Sequence, residues 1–214
     1  CDIELEGARV AVQGFGAVGR NVTRFLIDKG CTLVAAADSR GSTYKPDGLD
    51  VEILNSLKSE GKSVADYAGG TGGDRDSIID VECDIWVPAA RPDVIRDDNV
   101  ERLNTKLLLE GANIPATRTA EARLFEKGIL YVPDFIANAG GVICAAMEYH
   151  GANESAVMAT IKDKVMRNTN QVLERVQREG IPPRQAAEEL ALERVRKAMS
   201  FRRFSTFSMG PGYL

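Results

Sequence analysis

The chain has one histidine and one tryptophan in 214 residues, and its four cysteines form no CxxC pair. A lone imidazole and scattered thiols cannot assemble a multi-histidine or zinc-ribbon metal site. Long apolar runs are missing too. The longest stretch without a charge, residues 135–147, has thirteen residues and carries adjacent glycines, so no membrane-spanning segment is expected. No secretory-type apolar segment follows Cys1-Asp2-Ile3-Glu4, and no initiator methionine precedes it. The start is therefore expected to be a domain boundary within a longer protein. A basic block is absent as well: 27 Lys plus Arg against 31 Asp plus Glu give a net charge of −4, so no nucleic-acid partner is expected. Cys31, Cys83 and Cys144 sit among apolar neighbours and are expected as buried free thiols in a reducing cytoplasm.

What is present is a globular composition, 44% hydrophobic and 27% charged, of a length that suits one or two domains. Short β-branched runs alternate with helical patterns through the first two thirds, which predicts an α/β fold of Rossmann type, a doubly wound and mostly parallel sheet. Strands are predicted over 9–13, 32–37, 84–88, 106–110 and 129–132. Helices are predicted over 18–29, 49–59 and 119–127, the first with an apolar stripe of Val18, Val22, Phe25 and Leu26. Residues 39–50 read as a loop and 68–73 as a flexible glycine turn. From Glu154 to about Phe201 the pattern is helical, broken at Gly180-Ile181-Pro182-Pro183. The expected organisation is a dinucleotide-binding core over 1–150, helices over 151–204 that pack on it and form a hinge, and a loose tail over 205–214.

Gly14-Phe15-Gly16-Ala17-Val18-Gly19 fits GxGxxG. The pattern alone is weak, but here it follows a strand, opens a helix and has Asp38 nineteen residues beyond Gly19 at the next strand end. That is the context of a dinucleotide fingerprint. Gly14 permits the turn, Gly16 lets backbone approach a pyrophosphate, and Gly19 allows close helix–strand packing. The helix N-terminus then offers N–H groups and a positive dipole end. Asp38 would accept from an adenosine-ribose hydroxyl, favouring NAD. Arg40 could pair with the 2′-phosphate of NADP. The expectation is NAD or NADP, leaning to NAD.

Two loops beyond strands carry asparagines, Glu110-Gly111-Ala112-Asn113 and 133–142, with Asn138 ahead of Gly140-Gly141. Either carboxamide could read a nicotinamide ribose or amide, or could serve as a cap or turn former. Ala89 and Ala90 end the intervening strand with small side chains that leave room for a nucleotide. Asp134 reads as a loop anchor and His150 as a surface or capping residue.

Taken together, GFGAVG, Pro88-Ala89-Ala90, EGAN at 110–113 and PDFIANAGGV at 133–142 resemble the glutamate dehydrogenase family, which includes leucine, phenylalanine and valine dehydrogenases. The resemblance covers about residues 5 to 200. It implies the C-terminal, nucleotide-binding domain of a two-domain enzyme that oxidatively deaminates an L-amino acid with NAD or NADP. On that likeness Gly14, Gly16 and Gly19 match the phosphate loop, and Asp38 and Ser39 the adenosine-ribose region. Ala89 and Ala90 lie beside the nicotinamide ribose, which Asn113 and Asn138 would also reach. The family's catalytic lysine and aspartate belong to its N-terminal domain, so no catalytic residue is expected within these residues. The family also implies a homo-oligomer, typically a hexamer. Glutamate-specific members commonly carry a serine seven residues after the second asparagine, whereas this chain has Ala145. The order of motifs is most like glutamate dehydrogenases; a branched or aromatic amino acid, or a non-catalytic dinucleotide module, is the alternative.

Overall fold

A computed structural model describes residues 1–202. Seven strands form one sheet: β1 (Arg9–Gln13), β2 (Thr32–Ala37), β3 (Ser42–Tyr44), β4 (Thr71–Gly73), β5 (Ile85–Pro88), β6 (Leu107–Leu109) and β7 (Leu130–Val132). Their spatial order is β4-β3-β2-β1-β5-β6-β7. The five strands from β2 to β7 in that order run parallel, and β3 and β4 are added antiparallel at one edge. The strand order reverses at β1, which sits between β2 and β5. That is where a doubly wound sheet opens a crevice at the carboxyl ends of its strands.

Helices cover both faces of the central strands. On one side Val10, Val12, Leu33, Ala36, Ile85 and Val87 pack with α1 (Ala17–Ile27) and α2 (Val51–Ser59), through Val22, Leu26 and Leu54. On the other, Ala11, Val34, Ala35, Trp86, Leu108 and Tyr131 pack with α3 (Arg118–Glu126), through Ala120 and Leu124. Val34 and Ala35 share a face because the register shifts between Val10 and Ala11. Covering both faces explains why β2 is apolar along nearly its whole length. Helix α2 starts where Asp50 caps it, its carboxylate accepting from the N–H groups of Glu52 and Ile53.

Three expectations for the sheet and its first helix needed correction. The stripe expected on α1 is rotated: Gly19 and Thr23 face the sheet, while Val18 and Phe25 are about half exposed. Gly19 approaches the Gly14 carbonyl so closely that a Cβ there would overlap it, and this contact sets the roll of the helix. The supposed loop at 39–50 contains β3, and the supposed flexible turn at 68–73 contains β4. Three-residue strands show too little alternation to be read as strands. The β4 glycine Gly73 serves packing, since a Cβ would run into Ser77.

Beyond β7 come α4 (Asp134–Ala137), α5 (Gly140–Tyr149), α6 (Glu154–Glu179) and α7 (Pro183–Arg202). Gly180, in the left-handed conformation at φ 65°, ends α6. Val172 of α6 and Ala186 and Ala187 of α7 pack on Val132 and Ile136 at the β7 edge. The outer part of α7, from Ala191 to Phe201, is exposed. The tail expected at 205–214 lies outside the described residues. Cys31 and Cys83 are buried free thiols as expected, but Cys144 is only half-buried, on a helix with no fully buried residue. His150 ends α5, edge-on to Tyr149.

Candidate dinucleotide site

The glycine loop joins β1 to α1. Gly14 adopts φ +101°, open to few residues but glycine, and a Cβ there would stand 2.9 Å from the Ala89 carbonyl carbon. Gly16 is the N-cap of α1 and no side chain caps that end of the helix. Its Cβ position has nothing within 4 Å, and Gly16, Ala17 and Val18 are exposed. The first-turn N–H groups of α1 therefore open outward without a side-chain acceptor, ready for an anion. Phe15 differs from its neighbours. Its ring is buried in the core and its N–H donates to the Ala37 carbonyl at 2.9 Å, so it holds the turn in place.

The loop opens into a groove of about 450 Å³. It brings together Gly14–Gly16, Asp38, Ser39, Ala89 and Ala90 from the ends of β1, β2 and β5. Four further groove residues were missed in the sequence: Gln13, Lys58, Arg75 and Arg91. Gln13 is buried and its Oε1 has no partner, an acceptor left over at the floor of the groove. Lys58 is paired with Asp38, and Arg75 and Arg91 share Asp76, so three cations meet two carboxylates and leave the groove a surplus of one positive charge, suited to phosphates. Single basic residues in helices and loops read as solvated charges, and only the fold gathers them.

Asp38 is engaged on both oxygens. Oδ1 accepts from the Arg40 N–H at 2.9 Å and the Ser63 hydroxyl at 2.8 Å. Oδ2 accepts from Lys58 Nζ at 2.7 Å and the Val64 N–H at 3.1 Å. Burial alone would raise its pKa. Hydrogen bonds from Lys58 and then the others outweigh that and hold the carboxyl well below the usual range. Ser39 beside it is exposed. Arg40 points elsewhere, its guanidinium donating to the Gly61 carbonyl at 2.8 Å.

Asn113 and Asn138 lie beyond β6 and β7. Asn138 Nδ2 donates to Asn113 Oδ1 at 2.8 Å, so the two carboxamides form one unit. Gly111, two residues before Asn113, approaches Pro88 at the end of β5 and Val18 of α1. Behind the pair is a buried cluster that the sequence did not reveal. Arg184 Nε donates to both oxygens of Glu121 at 2.6 Å. Its Nη2 reaches Glu110 Oε2 at 3.2 Å and Asp134 Oδ1 at 3.0 Å. Asp134 is the loop anchor expected, its Oδ2 accepting the Ile114 N–H at 2.9 Å. Glu110 is fully buried and its carboxyl is pushed up to about 8, first by burial and then by the charge of Glu121. The signal available was Arg184 itself, a cation in the first turn of a helix, where the dipole disfavours it.

The described residues contain no helix long and apolar enough to cross a membrane, and no group of three His, Cys, Asp or Glu side chains placed to hold a metal ion.

Among proteins of known identity, the glutamate dehydrogenase of Aeropyrum pernix is 38% identical over 208 residues, covering 92% of this chain and 50% of that protein. NAD-specific glutamate dehydrogenase A of Halobacterium salinarum is 38% identical over 148 residues, covering 69% of this chain and 34% of that protein. The hetero-hexameric glutamate dehydrogenase of Thermus thermophilus, in its leucine-bound form, superposes with a TM-score of 0.82 at 31% identity, over 94% of this chain and 49% of that one. The L-tryptophan dehydrogenase of Nostoc punctiforme gives a TM-score of 0.72 at 25% identity, over 91% and 54%. The chain thus spans about half the length of curated relatives that it matches over nine tenths of its residues. Residues 1–203 match the profile described as Glutamate/Leucine/Phenylalanine/Valine dehydrogenase, and the chain belongs to this family of amino-acid dehydrogenases.

Proposed function

We propose that this chain is the dinucleotide-binding part of an NAD-dependent amino-acid dehydrogenase, acting on L-glutamate. The observation that carries the reading is the uncapped, exposed N-terminus of α1 behind Gly14, opening into a groove with a positive surplus. Gly16 and the N–H groups of Ala17, Val18 and Gly19 would hold the pyrophosphate. Ser39 and Lys58 would meet the adenosine ribose, with Asp38 ordering that end through its own hydrogen bonds. Ala89 and Ala90 would flank the nicotinamide ribose, and the Asn113–Asn138 pair would orient the nicotinamide end. The bound cofactor supplies hydride acceptance; the chain supplies orientation and electrostatics. NAD is preferred on the strength of the relatives named NAD-specific. Lys58 and Arg75 at the same end would also tolerate the extra phosphate of NADP.

Residues 1–150 would form the cofactor-binding core, and the helices of 151–204 a packing and hinge element. The acid–base groups would be supplied by a substrate domain outside these 214 residues, in keeping with relatives twice this length. The whole enzyme would be an oligomer in the cytoplasm. A branched or aromatic amino acid as substrate is the second reading, favoured by Ala145 on the exposed side of α5 where glutamate-type members carry serine.

NADH fluorescence titration beside a 340 nm assay tests the proposal. The chain is expected to bind NADH and to show no glutamate-dependent reduction of NAD⁺, because positioned acid–base groups contribute factors of about 10²–10⁴. No NADH binding would remove the reading, and robust turnover would remove the assignment of the acid–base groups to another domain.

A further inference from the structure

We infer that Arg184 and Glu110 are positioning residues for the nicotinamide end of the site, holding the Asn113 and Asn138 loops in register with each other and with helix α7. This rests on the dinucleotide reading above. The geometry runs in two branches from one guanidinium. In the first, Arg184 Nη2 holds Asp134 Oδ1, and Asp134 Oδ2 holds the N–H of Ile114, the residue after Asn113. Ile114 sits at φ +50°, a left-handed conformation that a β-branched residue adopts only when its surroundings impose it. Its carbonyl is held as well, by the Asp93 N–H at 2.9 Å. In the second branch, Glu110 Oε2 accepts from Arg184 and from the Asp134 N–H at 2.9 Å. That bond fixes the start of α4, whose far end is Asn138, with the Asn138 N–H donating to the Asp134 carbonyl at 2.7 Å. Both carboxamides thus take their position from the same buried cluster.

The cluster is unbalanced in charge. Three carboxylates, those of Glu110 (β6 end), Glu121 (α3) and Asp134 (α4), face one guanidinium from α7. The other groups nearby do not correct it. Arg118 is exposed and paired with Glu188 at 2.7 Å, and the Tyr131 hydroxyl, its pKa raised by burial, accepts from the Arg184 N–H. A proton held on Glu110 relieves the excess. Its Oε1 is buried without any partner, a position costly for a charged oxygen and far less so for a neutral carboxyl. Loss of that proton in alkaline solution places a second uncompensated negative charge beside Asp134 and loosens the bond to Ile114.

The test is NADH titration of the chain from pH 6.5 to 9.5, with circular dichroism at each point. Wild type is expected to lose at least about threefold in affinity between pH 7 and 9, while staying folded. Glu110→Gln, nearly isosteric and permanently neutral, is expected to flatten the profile, its affinity changing by less than about twofold between pH 7 and 9. Arg184→Lys keeps the charge but not the fork, and is expected to bind about tenfold more weakly while folded. A residue serving stability alone would shift the melting temperature and leave affinity and its pH profile unchanged. Wild-type affinity in folded Arg184→Lys, or a wild-type pH profile in Glu110→Gln, would overturn the inference and leave the dinucleotide reading intact. Absence of NADH binding by wild type removes that reading and this inference with it.

Discussion

Lys58 Nζ stands 2.7 Å from Asp38 Oδ2 and joins the α2 helix to the end of β2. The Asp38 side chain is only 7% exposed, so this pair is screened far less than the surface pairs of α6 and α7. Its carboxylate is ionised by its partners, and its folded pKa lies below the ordinary value of 3.8. The stability it contributes is therefore full above that value and is lost as pH falls through the folded pKa. Asp38→Asn is expected to cost about 1–3 kcal/mol in urea unfolding at neutral pH. The gap from wild type should narrow in acid below pH 3.8; a gap independent of pH would show that the charge is not what stabilises this corner.

The two ends of the glycine loop are expected to respond differently. A side chain at Gly16 meets open space and no unfavourable φ, so Gly16→Val should fold normally. It should lose at least about tenfold in NADH affinity, or 1.4 kcal/mol, because the valine occupies the phosphate cradle. Gly19→Ala places a Cβ against the Gly14 carbonyl and should lower thermal stability by forcing α1 off the sheet. Dichroism melts and titrations on both variants separate the effects.

Glu110 gives the stability of the chain a slope in the opposite sense to Asp38. Its folded pKa is raised to about 8 from 4.5, so the folded state retains a proton that the unfolded state releases between those values. Stability should fall as pH rises across this window and level off above it. Glu110→Gln should remove that limb. The variant should melt above wild type at pH 9 and together with it near pH 5.

Asn138→Ala removes one half of a partly exposed pair and nothing from the core. The expected change in unfolding free energy is within about 0.5 kcal/mol. NADH affinity is expected to fall by about 1 kcal/mol, the usual net worth of a lost hydrogen bond. A large stability loss with unchanged affinity would make the pair a structural clasp.

The parts of the molecule legible in the sequence are those with local signatures. β1, β2 and the intervening turn are marked by an apolar run, three spaced glycines and a distant aspartate, all within thirty residues. The α6–α7 break is marked by Gly180 and two prolines. β3 and β4 escaped because polar three-residue strands acquire their identity only from the strand beside them. The roll of α1 escaped because a close backbone approach at Gly19 overrides the larger apolar side chains. Arg184 and Glu110 are 74 residues apart, and no short-range pattern connects them. Asp38 was found by position, but its engagement with Lys58, Ser63 and Val64 depends on α2 and the following turn folding back over it.

Helix α7 is attached to the sheet at its beginning, through Arg184, Ala186 and Ala187, and from Ala191 onward it is exposed. From Arg184 to Phe201 it extends about 25 Å at 1.5 Å per residue. Its outer half is tied to α6, with Glu193 paired to Arg175 at 2.6 Å and Arg194 donating to Asn168 Oδ1 at 3.0 Å, so the two helices form one lever: ten degrees of tilt carries the far end of α7 through about 4 Å. The fastening is the same guanidinium that holds the Asn113 loop. A push on the α6–α7 pair would be felt at the Asn113 loop as torque at that buried pivot.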